Sequence, residues 1–193
     1  SFIGQLLDAA GLQKAALIGH SWGSLIAMQA AAQLGARVSH LVLVGTAAPM
    51  KVSPVLLELA LNAPDKAIHM VQTFSRATLA PPNGAGSWVF GAGTALGKRV
   101  LASNSQTNLL HTGFVACDSY SGGEAAMAAL QCPVMFVLGE LDQMTPPKAA
   151  KGLVDAAKAA GQRVKLQTIP NGHNQMSESP DDTLFAIRDF LAA

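Results

Sequence analysis

Apolar positions along this chain recur at two spacings, one helical and one extended, and segments of the two kinds alternate. Phe2, Ile3, Leu6 and Leu7 repeat at helical intervals before Gly11, which predicts a short helix closed by a glycine. Ala15-Ala16-Leu17-Ile18 is a compact apolar run of strand length. From about Trp22 to Leu34, Ala27, Ala30, Ala31 and Ala32 predict a helix able to lie close to a sheet, with Gly35 as its left-handed cap. Val38 to Val44 (VSHLVLV) is rich in β-branched residues and leucine, as expected of a strand covered on both faces.

The pattern changes between Gly45 and about Leu130. Pro54, Pro64, Pro81 and Pro82 punctuate helical fragments such as 55–61 and 66–74, and no strong strand pattern appears. The Gly, Pro and Ala content of 81–97 predicts an irregular loop. Alternation resumes with a buried strand over 134–138. A helix follows, capped by Thr145 with Pro146 in its first turn and ending near Ala160. Next come a strand over 164–169 and a last helix capped by Ser179, with Leu184, Ile187 and Leu191 on its buried face. Strands alternating with helices of this length predict an α/β fold built on a doubly wound, mostly parallel sheet. Residues 1–48 and 131–193 form its core in this reading, and 49–130 a helical cap inserted into it.

Composition narrows the function classes. The chain has 193 residues, half of them hydrophobic and 13% charged, which fits one well-buried domain. The net charge is +1 and no basic stripe stands out, which argues against a nucleic-acid partner. No apolar run is long enough to span a bilayer, and the opening residues do not read as a signal peptide. Cys117 and Cys132 lack metal-ligand spacing and read as reduced thiols, so a cytoplasmic location is expected. No metal cluster, phosphate loop or dinucleotide fingerprint is visible, and no cofactor is expected.

The candidate chemistry lies at three predicted strand ends, where open α/β sheets gather functional groups. After the first strand comes Gly19-His20-Ser21-Trp22-Gly23, a G-x-S-x-G pattern at a strand–turn–helix junction. Such a turn strains the serine and exposes its hydroxyl, and the flanking glycines are expected where side chains would collide. After the strand at 134–138 comes GELDQMTPP (139–147), and after 164–169 comes Pro170-Asn171-Gly172-His173. A serine needs a base to become a nucleophile, and the base needs an acid to orient it. Ser21, Asp142 and His173 supply these types in the order Ser, Asp, His, with Glu140 as the rival acid. His20 adjoins Ser21, but side chains at adjacent positions of a sharp turn diverge, so a packing role is expected for it. His40 reads as structural. His69 and His111 fall in the insertion. Trp22, Met70, Phe74, Trp88 and Phe114 are candidates to line an apolar acyl pocket.

The segments GHSWG, GELDQMTPP and NGHNQMSESPDDTLFAIRDFL (171–191) resemble the α/β-hydrolase superfamily in its cap-bearing, esterase-like branch. The last segment is similar to that branch's histidine loop, followed by an acidic residue, a proline and the terminal helix. The resemblance implies a serine hydrolase of carboxylic esters or related acyl compounds, with apolar small molecules as substrates. Ser21 would be its nucleophile, His173 its base, Asp142 the orienting acid and the Trp22 N–H one oxyanion donor. It equally admits a thioesterase, a C–C bond hydrolase or a cofactor-free perhydrolase. A non-catalytic ligand-binding protein of the same fold is the alternative from another class. The superfamily places further strands and a second oxyanion donor before the elbow. The expectation is therefore that a preceding segment or a separate chain completes the sheet beside the first strand.

Overall fold

The computed structural model describes residues 1–77 and 85–193, with side chains from residue 90 onward in the second stretch. Four strands form one sheet: β1 (Ala15–His20), β2 (Val38–Val44), β3 (Val134–Gly139) and β4 (Val164–Ile169). They run parallel in the spatial order β1-β2-β3-β4, with Ile18 opposite Val42, Val42 opposite Met135, and Phe136 opposite Leu166. Parallel neighbours cannot be joined by a hairpin, so each connection must cross over the sheet. The crossovers are helical. α1 (Phe2–Ala9) precedes β1, and α2 (Trp22–Leu34) joins β1 to β2.

Side chains on successive strand residues point to opposite faces, and both faces are covered. On one face Leu41, Leu43, Phe136 and Leu138 pack with Met28 and Ala31 of α2. Leu153 of α8 (Lys151–Ala159) completes this layer. On the other face Val42, Val44, Met135, Val137 and Ile169 pack against Phe190 of α10 (Pro180–Leu191). Burial on both faces explains why β2 and β3 read as unbroken apolar runs. Each fully buried side chain of this size stabilises the fold by about 1.5–3 kcal/mol. β1 ends the row of strands, and Ile18 on it is 52% exposed.

Between β2 and β3 lie α3 (Pro54–Asn62), α4 (Pro64–Phe74), α5 (Ala85–Ala102), α6 (Leu109–Ser119) and α7 (Gly123–Ala128). Leu56, Ala60 and Ala67 form a small core there with Met70, Leu110 and Phe114, separate from the sheet's own. α7 behaves differently. Its Ala126 and Met127 join the main core beside α2 and α8.

Three local expectations are corrected. Residues 85–97 are not an irregular loop but belong to α5, while 81–84 lie outside the described residues. The glycines were misleading: a Cβ on Gly93 would collide with the Gln72 side chain, and one on Gly97 would press on Ile68, so both let α5 lie close on α4. Thr145 does not cap a helix. Residues Pro147–Ala150 form a 3-10 turn into α8, and the Thr145 hydroxyl bonds elsewhere. Ser179 stands at the N-terminus of α10 without a side-chain cap bond.

Candidate active site

Ser21 sits where β1 ends and α2 begins. It is the one non-glycine residue with positive φ among the described residues, at φ 53° and ψ −124°. A side chain there costs on the order of 1–3 kcal/mol, and surrounding bonds must enforce it. The Ser21 N–H donates to the Val44 carbonyl at 2.9 Å. The buried Ser24 hydroxyl donates to the Ser21 carbonyl at 2.5 Å and meets the Thr46 hydroxyl at 2.7 Å. Gly19 permits the tight return of the chain, since a Cβ there would collide with the Gly23 carbonyl. A Cβ on Gly23 would meet nothing within 4 Å, so only the first of the two elbow glycines is required by contact.

Among the described residues the Ser21 hydroxyl has no hydrogen-bond partner. Its residue occupies the N-cap position of α2 yet makes no cap bond, and no hydrogen bond joins it to His173. In unliganded enzymes such bonds are often long and tighten with substrate. The Trp22 N–H, first in α2, donates to no other backbone group among the described residues. It lies at the positive end of a 13-residue helix.

The structure brings His173 and Asp142 together. His173 Nδ1 donates to Asp142 Oδ2 at 2.8 Å, and both side chains are almost wholly buried. Asp142 accepts three more bonds at 2.8 Å: its Oδ1 from the Met144 and Thr145 N–H groups, its Oδ2 from the Thr145 hydroxyl. Burial is the largest single influence on this carboxyl and opposes ionisation. The hydrogen bond and positive charge of His173, with the Thr145 donors, outweigh it, so its pKa falls below the ordinary value. Glu140 is exposed and does not reach the imidazole.

Two partners of His173 were not legible as such. The Thr145 hydroxyl lies 3.1 Å from its Nδ1. His20 Nε2 lies 2.8 Å from the His173 carbonyl, and since a carbonyl only accepts, this nitrogen carries the proton. The two rings are 4.7 Å apart between centroids. Burial, and then the neighbouring His173, push the His20 pKa down to about 4, so it stays neutral near pH 7. His20 is thus a brace between the serine turn and the histidine loop. The residue pairing H-S inside the elbow was the only signal, and it read as packing.

Ser21 opens onto a cavity of about 580 Å³, lined on the sheet side by Trp22 and Thr145 and on the side of α4 and α6 by Met70, Phe74, Leu110 and Phe114 among others. Four of the five predicted lining residues are there; the side chain of Trp88 lies outside the described residues. His40 packs edge-on against Phe190 and His69 against Phe90, away from the cavity lining. Cys117 and Cys132 are free and buried, and burial raises both thiols to about 11. No helix among the described residues is long and apolar enough to cross a membrane.

Comparison with known proteins agrees with this architecture. Residues 1–81 match the family model described as "alpha/beta hydrolase fold". Among curated proteins nothing matches the chain. Among solved structures it is similar to a thermophilic esterase, at 24% identity and a TM-score of 0.76 over 98% of this chain and 69% of that one. It is similar to an esterase from Exiguobacterium antarcticum, at 16% identity and a TM-score of 0.80 over 99% and 71%. A bromoperoxidase from Bacillus anthracis matches at 14% identity and a TM-score of 0.81 over 99% and 72%. The chain has the α/β-hydrolase fold.

Proposed function

We propose that this chain of α/β-hydrolase fold is a serine hydrolase that cleaves carboxylic esters or related acyl compounds of apolar character. The observation that carries the reading is the buried His173–Asp142 pair, tied through His20 to the turn of a strained serine that opens onto a mostly apolar cavity. In this reading Ser21 Oγ attacks the acyl carbon while His173 Nε2 takes its proton. Nε2 is available because Nδ1 is committed to Asp142. Asp142 stays ionised and stabilises the imidazolium. The carbonyl electron pair moves onto oxygen, which the Trp22 N–H faces as one oxyanion donor. His173 then protonates the leaving alcohol as the tetrahedral adduct collapses to an acyl-enzyme. Water, deprotonated by the same imidazole, releases the acid and restores Ser21.

The cavity supports an apolar acyl or alcohol group. Met70, Val71, Phe74, Leu110 and Phe114 make most of this lining apolar, and Lys51, which reaches Asp118, is its one charged residue among those described. In this reading residues 49–130 supply the cap that sets substrate shape, and the small core around Leu56, Ala60 and Ala67 supports it. A second reading draws on the likeness to the bromoperoxidase. Hydrogen peroxide in place of water would attack the same acyl-enzyme, giving a peracid and free Ser21.

A fluorophosphonate probe tests the assignment. Wild type is expected to be labelled and Ser21→Ala not; a folded wild type that resists labelling overturns it. p-Nitrophenyl esters of increasing chain length then read the cavity, and peracid formation from acetate and peroxide reads the second activity.

A further inference from the structure

The loop carrying His173 is held by the insertion as well as by the sheet. On the sheet side the Leu141 N–H donates to the Asn171 carbonyl at 2.9 Å. On the other side lie residues 75–77, which leave the end of α4. The Ser75 carbonyl accepts from both the His173 N–H at 3.0 Å and the Asn174 N–H at 3.1 Å. The Ser75 hydroxyl lies 3.0 Å from the Met144 sulfur, two residues beyond Asp142. A Cβ on Gly172 would stand 2.7 Å from the Arg76 carbonyl carbon, so only glycine allows this approach.

One side chain spans the contact. Glu178, the last residue of α9 (Gln175–Glu178), turns Oε2 into it. That single oxygen accepts from the Ala77 N–H at 2.9 Å and from the Gly172 N–H at 3.2 Å. Among the described residues, neither N–H is bonded to another backbone group. Two convergent donors suit a carboxylate, whose oxygen accepts more than one bond and gains from both dipoles.

We infer that Glu178 is a positioning residue that ties the histidine loop to the insertion and so fixes His173 against Ser21. This rests on the serine-hydrolase reading above. Glu178 does not line the cavity, so its removal acts on alignment rather than on substrate binding. Small misplacements of a reacting group are expensive in rate.

Glu178→Ala is expected to lower kcat on a p-nitrophenyl ester on the order of 10- to 100-fold, with KM within about twofold of wild type. Glu178→Gln keeps an acceptor oxygen and is expected to restore most of kcat. Hydrogen exchange gives a readout independent of catalysis: Gly172, His173 and Ala77 amides should exchange on the order of tenfold faster in Glu178→Ala and as in wild type in Glu178→Gln. Should Glu178→Ala fail to fold, Glu178→Asp withdraws the oxygen while keeping the charge and should show the same kcat loss. The inference is overturned by unchanged kcat in the shortened variants, by a loss confined to KM, by a Gln variant as poor as Ala, or by unchanged exchange. A wild type unlabelled by the fluorophosphonate sinks the serine-hydrolase reading instead, and the exchange measurement still decides whether Glu178 holds the loop.

Discussion

Acid should destabilise this protein through His20, and the effect can be isolated. The folded His20 has a pKa of about 4 against 6.5 for the free side chain, because burial and His173 both oppose its charge. Between those values the unfolded chain binds the proton that the folded one refuses. Stability from this residue is therefore complete above the unfolded pKa and is lost as pH falls toward the folded one. One pKa unit corresponds to about 1.4 kcal/mol, so the loss comes to about 2 kcal/mol by pH 5 and about 3 kcal/mol by pH 4. His20→Gln removes the titration and keeps a donor for the His173 carbonyl. Urea unfolding followed by circular dichroism at pH 7, 6 and 5 gives both stability curves. The wild-type curve should fall more steeply with acid by about 2 kcal/mol over that range. Asp142 is unchanged in both proteins, and its depressed pKa contributes stability that is lost only at still lower pH, so it cancels in the comparison. Parallel curves would refute the claim that His20 is held neutral by its surroundings.

Three further perturbations probe the site. Ser21→Gly relieves the backbone strain at φ 53° while deleting the proposed nucleophile, so fluorophosphonate labelling should vanish. A gain of about 1 kcal/mol should raise Tm by about 2–4 °C in a scanning measurement; a lower Tm would contradict the strain. Thr145→Val removes the hydroxyl bond to Asp142 Oδ2. Steady-state kinetics should show kcat reduced about tenfold, with little change in KM, and an effect on KM alone would place Thr145 in substrate binding instead. Leu110→Trp fills part of the 580 Å³ cavity. Each methylene it excludes from the ester should cost about fourfold in kcat/KM, shifting the preferred p-nitrophenyl ester to a shorter chain; an unchanged preference would place the acyl group elsewhere.

What could be read from the amino-acid order, and what could not, follows from where the information resides. β2 was legible because VSHLVLV is buried on both faces, and such a run has few other places in a folded chain. The α/β alternation was legible for the same reason. Ser21 could be singled out because a local requirement marks it: the turn is so tight that Gly19 must lack a side chain. Asp142 and His173 were named from their places after β3 and β4, and the parallel sheet delivers both to one edge, 2.8 Å apart between Oδ2 and Nδ1. The residues that escaped notice act through long-range partners with no local mark. Thr145 looked like a helix cap because a threonine before two prolines usually is one. Its hydroxyl instead serves an aspartate three residues earlier. His20 looked like packing because its partner is a carbonyl 153 positions away. Helix α5 was missed because Gly93 and Gly97 are there for contact with Gln72 and Ile68, and tertiary packing outweighed their poor helix propensity. Glu178 was visible only as an acidic residue before a proline. Its two donors, Ala77 and Gly172, come from the insertion and from the histidine loop, and only the folded chain sets those side by side. Residues answering to a local constraint are thus readable one at a time. Those that connect the insertion to the sheet must be read as pairs, and the pairs arise from the fold.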